Sequence, residues 1–203
     1  MTVTVKICGI RSLRDAEMCV AAGADAIGLN FVPSSPRVID RPLAKEIVRA
    51  VGQRTLVVGV VANMPESEIR SLIEETGVAC IQFHGDEPPE SLSAFLPHAY
   101  KAIRVRTAGD VATADAFPGN YILVDAFSPN ALGGTGTTFA WELVVPLAMR
   151  RKLSLAGGLT PENVADAVRQ VNPFCVDVAS GVESSPGEKD EARVRAFIAN
   201  AKG

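Results

Sequence analysis

Short apolar runs alternate along the chain with longer stretches in which apolar residues recur every three or four positions. The runs Val3–Cys8, Ala26–Phe31, Leu56–Val61, Cys80–His84, Lys101–Val105, Tyr121–Asp125, Leu153–Ala156 and Phe174–Val178 predict β-strands. Stretches such as Leu13–Ala22, Leu43–Val51, Glu66–Glu75, Trp141–Arg150 and Glu162–Val171 predict helices between them. In Pro65-Glu66-Ser67-Glu68, proline and acids occupy a first helical turn, where the helix dipole favours negative charge. Thr160-Pro161-Glu162 reads as an N-cap followed by proline at the first helical position. Gly23 and Gly77 follow helices and suit a left-handed C-terminal cap.

Eight strand-then-helix units in series predict either an open doubly wound sheet or a closed (β/α)₈ barrel. No Gly-x-Gly-x-x-Gly follows the first strand, so the nucleotide-binding signature of the open sheet is missing. The 203 residues leave about 25 per unit, compact for a barrel yet sufficient. The expected fold is therefore α/β, a (β/α)₈ TIM barrel forming a single domain over residues 1–203. No linker, charge block or low-complexity segment divides the chain.

Composition narrows the class. Hydrophobic residues make up 47 % and aromatics only 5 %, so the core is expected to be Val, Ile, Leu and Ala, as in buried parallel strands. The net charge is −3 with both signs interspersed, and no basic stripe argues for nucleic acid as a partner. Cys8, Cys19, Cys80 and Cys175 are widely spaced with no C-x-x-C pair, against a zinc site and against a secreted disulfide framework. The chain opens on a strand and holds no apolar run of the ~20 residues that would span a bilayer. A cytoplasmic protein with no membrane partner is expected. The sequence does not fix an oligomeric state.

Candidate chemistry lies where strands end. The first strand stops on Cys8, followed by Gly9, at the rim where barrel enzymes keep their active sites. After the second strand, Pro33-Ser34-Ser35-Pro36-Arg37 is a rigid loop delivering one arginine, either solvated or forked onto a ligand carboxylate or phosphate. His84 ends the fourth strand and is a candidate for lining a pocket. Arg104 and Arg106 flank the end of the fifth, and alternation alone does not say which faces inward. Asp125 closes an otherwise apolar sixth strand, which favours its protonated form; its alternative is a cap for a neighbouring loop. Gly133-Gly134-Thr135-Gly136-Thr137 follows as a lid or phosphate-side loop. Gly157 and Gly158 end the seventh strand, and Ser180 and Gly181 follow the eighth. Those two loops are where barrels bind phosphate through backbone N–H groups.

Taken together, these segments resemble the phosphoribosylanthranilate isomerase family of tryptophan biosynthesis. The resemblance rests on Val5-Lys6-Ile7-Cys8-Gly9, Gly23-Ala24-Asp25, Ser35-Pro36-Arg37, Gln82-Phe83-His84-Gly85, Asp125 with Gly133-Gly134-Thr135-Gly136, Leu155-Ala156-Gly157-Gly158-Leu159, and Asp177 through Glu183 with Gly187-Glu188-Lys189-Asp190. One departure is visible: the family usually carries two serines before the last glycine, and here Ala179 precedes Ser180.

The resemblance implies a (β/α)₈ barrel performing an Amadori rearrangement of N-(5-phosphoribosyl)anthranilate, a small-molecule phosphosugar. Cys8 would be the general base, Asp125 the general acid, and Arg37 would face the anthranilate carboxylate. No metal and no organic cofactor is implied. Other phosphosugar barrels share the phosphate site, but a synthase would place lysine and glutamates at strand ends and an epimerase metal ligands. A non-catalytic phosphometabolite binder would need neither Cys8 nor Asp125. A thiol is a poor base unless part of it is thiolate. Backbone N–H groups, Lys6 and a bound cationic intermediate are each able to lower its pKa.

Overall fold

The computed structural model describes residues 2–105, 107–125 and 141–203. Eight strands make a closed barrel in chain order: β1 (Thr4–Cys8), β2 (Ala26–Asn30), β3 (Leu56–Val61), β4 (Cys80–Phe83), β5 (Ala99–Arg104), β6 (Tyr121–Asp125), β7 (Lys152–Ala156) and β8 (Cys175–Val178). Every neighbouring pair is parallel, and β8 closes on β1 with Lys6 opposite Asp177. Parallel neighbours need a crossover, and α1 (Leu13–Ala21), α2 (Arg41–Val51), α3 (Glu66–Thr76), α4 (Glu90–Ser93), α5 (Ala108–Ala112), α6 (Val145–Ala148) and α7 (Val164–Val171) lie between the strands. After β8 comes a short antiparallel hairpin, β9 (Glu183–Ser185) and β10 (Glu188–Lys189), and then α8 (Glu191–Lys202).

The expected barrel is the observed one, and the strand ends agree closely. Local sequence explains most helix limits. Asp40 caps α2 by accepting the Leu43 N–H at 2.9 Å, a contact worth about 1 kcal/mol. That cap starts α2 at Arg41, two residues before the predicted start. The helix buries Ala44, Ile47 and Val51 against the sheet. Gly77 ends α3 in the left-handed conformation, φ 76°.

Two expectations are corrected. The helix predicted over Trp141–Arg150 is a 3₁₀ turn, Trp141–Val144, followed by the single turn of α6. Pro146 has no N–H to give to a preceding carbonyl, so a continuous helix cannot run through it. Thr160 and Pro161 do not start α7. Asn163 is its N-cap residue, and the Asn163 amide bonds back to the Thr160 N–H at 2.8 Å and to the Gly158 carbonyl at 3.0 Å. That turn delays the helix to Val164. The β9–β10 hairpin and α8 carried no reading in the sequence, although Asp190 caps α8 through the Arg193 N–H.

Strand alternation sorts the barrel into two zones. Residues such as Val5, Ile7, Ile27 and Val176 point outward and join the helices in the main apolar core. A smaller apolar cluster of Val58, Tyr100, Ala102, Leu123 and Ala156 belongs to the opposite strand face, inside the barrel. Lys6, Gln82 and Asp177 share that interior face and are buried. The inside of the barrel is therefore a mixed apolar and charged plug, and the polar part lies below the rim.

Candidate active site

Cys8, the last residue of β1, stands two positions beyond Lys6 and shares its inward face. Gly28 on β2 clears the space for both. A Cβ there would lie 2.7 Å from Cys8 Sγ and 3.1 Å from Lys6 Nζ, and the backbone needs no glycine-only conformation. Lys6 Nζ donates to Asp177 Oδ2 at 2.8 Å and to Gln82 Oε1 at 3.1 Å. Burial pushes the Lys6 ammonium toward its neutral form, but Asp177 and Cys8 outweigh that, and its pKa stands above that of an ordinary lysine. Burial likewise pushes the Cys8 thiol up. Lys6 opposes this, Asp177 reinforces it, and the net direction is upward. Of its two acidic neighbours, Asp177 acts on the lysine more strongly than Cys8 does.

A cavity of about 260 Å³ opens at this rim and is lined by Cys8, Asn30, Arg37, His84, Asp125, Gly157, Gly158, Asp177 and Ser180 among others. Of the residues expected at the site, all but Gly181 line it. Asp125, at the end of β6, keeps a quarter of its side chain exposed, so its desolvation at the strand end is partial. Its Oδ2 lies 3.5 Å from His84 Nε2, and His84 Nδ1 lies 2.8 Å from Gln82 Nε2.

Gly157 and Gly158 both adopt positive φ, 91° and 67°, which glycine tolerates and other residues resist. A Cβ on Gly158 would meet nothing within 4 Å among the described residues, so the chain there borders open space. Gly181 has a different reason to be glycine. A Cβ on it would collide with the carbonyl oxygen of Leu159, so it lets the loop after β8 pack against the loop after β7. Gly181 itself does not line the cavity.

Arg37 does not offer an open fork. Its Nε and Nη2 donate to Glu183 Oε1 and Oε2, each at 2.7 Å. Glu183 also accepts from buried Lys189 at 2.7 Å, and Lys189 donates to the Ala179 carbonyl at 3.1 Å. Burial pushes the Glu183 carboxyl up, the Arg37 and Lys189 hydrogen bonds more than offset it, and its pKa falls below the ordinary carboxylate value. Gly9, with φ 78°, lies under Arg37, where a Cβ would collide with Arg37 Cδ. Two of the five guanidinium N–H groups are taken, and Arg37 still lines the cavity.

A third buried ion pair shapes the rim beside His84. Lys101 donates to Glu87 Oε2 at 2.9 Å and to the Gly85 carbonyl at 2.5 Å, while Glu87 Oε1 accepts the Asn63 N–H at 2.7 Å. This ties the segment after His84 to β5 and to the end of β3. Arg104 shares the inward strand face with Tyr100 and Ala102 and is solvent-exposed. Arg106 and the Gly133–Thr137 segment lie outside the described residues.

Sequence reasoning passed over Asp177, Gln82, Glu183 and Lys189 as site residues. Two signals were available: a polar residue in the middle of an apolar strand, as Gln82 and Asp177 are, and Lys6 at the same height in β1. Among the described residues Asp177 Oδ1 is buried without a hydrogen-bond partner, although Asp177 borders the cavity.

The family model described as N-(5'-phosphoribosyl)anthranilate (PRA) isomerase matches residues 5–200. The N-(5'-phosphoribosyl)anthranilate isomerase of Pseudomonas aeruginosa is 46 % identical over 198 residues, covering 97 % of this chain and 93 % of the relative. That of Geobacter sulfurreducens is 44 % identical over 204 residues, covering 99 % of each. The crystal structure of phosphoribosyl anthranilate isomerase from Thermotoga maritima superposes with a TM-score of 0.90 at 41 % identity, covering 99 % of both chains. A second structure of such an isomerase, in complex with reduced 1-(o-carboxyphenylamino)-1-deoxyribulose 5-phosphate, gives 0.88 at 39 % identity, again covering 99 % of both. Fold and sequence agree along nearly the whole length, and the chain belongs to the N-(5'-phosphoribosyl)anthranilate isomerase family.

Proposed function

We propose that the barrel rearranges N-(5-phosphoribosyl)anthranilate to 1-(2-carboxyphenylamino)-1-deoxyribulose 5-phosphate, with Asp125 as general acid and Cys8 as general base. One observation supports the reading above others: the thiol and the carboxyl line one cavity, between the Gly157–Gly158 and Ser180 loops on one side and Arg37 on another. Asp125 gives its proton to the ring oxygen, the C1′–O bond breaks, and C1′ and nitrogen form an iminium. That cation acidifies the neighbouring C2′–H, and Cys8 removes it to give an enolamine. The enolamine ketonises as C1′ gains a proton and the C2′ hydroxyl becomes a carbonyl.

Burial raises the Cys8 thiol pKa, so the thiolate forms best once a positive charge lies beside it. The iminium supplies that charge at the step that needs it. The unpartnered Asp177 Oδ1 is suited to accept a sugar hydroxyl. Gly157, Gly158 and Ser180 bound the phosphate end, where backbone N–H groups make the change from serine to Ala179 a small loss. Arg37 directs its remaining N–H groups at the anthranilate carboxylate. A cytoplasmic address fits four free thiols, and no helix among the described residues is long and apolar enough to cross a membrane.

The test is turnover of freshly made phosphoribosylanthranilate, followed by the loss of its fluorescence. Cys8→Ser keeps the size of the side chain but is a far weaker base, so turnover is expected to fall by more than about tenfold with affinity for the reduced product analogue kept. A Ser variant retaining a larger share of the wild-type rate removes Cys8 from the base role.

A further inference from the structure

Gln82 has no role in the reaction as described, yet it is 1 % exposed and sits where three functional side chains meet. Its Oε1 lies 3.1 Å from Lys6 Nζ and 2.9 Å from the Tyr100 hydroxyl, and its Nε2 lies 2.8 Å from His84 Nδ1. An ammonium has donors and no acceptor, so the amide oxygen, not the nitrogen, must face Lys6. Turning the amide over would set its NH₂ against the ammonium in a buried space, leaving donors facing donors. The amide nitrogen is therefore the atom that meets His84. It too can only donate, which makes Nδ1 an acceptor without a proton. A neutral imidazole then carries its single proton on Nε2, the nitrogen 3.5 Å from Asp125 Oδ2.

We propose that Gln82 is a positioning residue for the rearrangement: pinned by Lys6 and Tyr100, it holds His84 as the Nε2–H tautomer and so aims a donor at Asp125. The inference rests on the reading of Asp125 as the proton donor. As Asp125 releases its proton to the ring oxygen it becomes a carboxylate, and Nε2 is the ring nitrogen that lies 3.5 Å from one of its oxygens. A separation of 3.5 Å is longer than a hydrogen bond, and the proposed role requires the two groups to close on one another as that charge develops. The charged and titratable groups around the imidazole come from several elements. They are Asp125 on β6, Lys6 on β1 with Asp177 on β8 behind it, Tyr100 on β5, and the Lys101–Glu87 pair between β5 and the segment after β4. Lys6 reaches His84 only through the amide. The run Asp177–Lys6–Gln82–His84 thus crosses the barrel interior with each link's direction fixed by the one before it, and it ends 3.5 Å from Asp125.

The protein has 2 histidines, His84 and His98, so its ring-nitrogen NMR spectrum is assigned with one variant, His98→Gln. In the wild type at neutral pH, the His84 signals are expected to show the proton on Nε2. Gln82→Glu puts an acceptor against Nδ1, so a proton should move there and the aim at Asp125 should be lost. The expected result is a fall in kcat of about tenfold or more, with affinity for the reduced product analogue within about twofold. A wild-type spectrum with the proton on Nδ1 overturns the proposal, and this needs no variant to fold. So does a Gln82→Glu protein with unchanged ring signals, whatever its rate, or one with unchanged kcat. Asp125→Asn separates the two readings: full turnover there dismisses Asp125 as the acid, while the ring spectrum of the wild type still reports the tautomer.

Discussion

Glu183 grips Arg37 through two parallel hydrogen bonds of 2.7 Å, Nε to Oε1 and Nη2 to Oε2. The arginine is thus oriented by the chain before any ligand arrives, and its orientation requires a planar fork. Arg37→Lys is expected to raise KM strongly, because a single ammonium cannot hold Glu183 and reach a ligand carboxylate together. Glu183→Gln should raise it too, since an amide accepts through only one oxygen. Steady-state kinetics on both variants check this. Unchanged KM in both would make the pair a loop fastening alone.

Gly28 tests how tightly Cys8 is placed. Gly28→Ala sets a methyl 2.7 Å from the Cys8 sulfur, and crowding of this kind costs about 1–3 kcal/mol when neighbours must move. Turnover is expected to fall well beyond what a modest loss in Tm explains, because the sulfur is the atom displaced. Rates measured far below Tm, where the variant is folded, separate the two effects. A rate equal to wild type would mean that the thiol has room to shift without consequence.

Gly158 and Gly181 should answer oppositely to alanine. At Gly158 the added methyl meets open space, and only the positive φ opposes it, at roughly 1 kcal/mol. Affinity for the reduced product analogue is expected to drop there more than stability does. At Gly181 the methyl meets the Leu159 carbonyl, so stability should drop more than affinity. Calorimetric binding and thermal melts on the same samples give both numbers. The reverse ordering would exchange the roles assigned to the two loops.

Acid should loosen the rim. Burial raises the Glu87 carboxyl, the Lys101 and backbone hydrogen bonds lower it further, and the net position is below the ordinary 4.5; Glu183 behaves likewise. A carboxyl whose folded pKa lies below its unfolded one lends stability above the unfolded value. It withdraws that stability as pH falls through the folded value. Tm is therefore expected to hold near neutrality and to fall below about pH 4.5. Glu87→Gln should start lower at neutral pH and lose less on acidification. A variant curve parallel to the wild type would show that the pair carries none of the dependence.

The fold was readable because eight apolar runs and their intervening helices leave a parallel barrel as the simplest closed arrangement. That Cys8, Asp125, Gly157 and Gly158 line one cavity was readable because each stands where a strand stops. Three things were hidden, each for a physical reason. The Arg37–Glu183 pair joins residues 146 positions apart in sequence, which no local pattern reports. Gly28 and Gly181 are small to spare a neighbour, and that neighbour is known only in three dimensions. The short α6 escaped because apolar periodicity continues across Pro146 although a helix cannot.

The charged interior also sets a limit on how far the barrel can be improved as a material. Lys6 and Asp177 occupy the place where most of the barrel's inward side chains are apolar, and a buried ion pair is often no more stabilising than well-packed hydrocarbon of similar volume. Replacing both with aliphatic residues would favour durability and remove the groups that orient Gln82 and flank the thiol. Selection for heat resistance alone would therefore drift away from catalysis along this one pair of residues, and a thermostable version that still turns over must gain its margin on the outer faces of the strands instead.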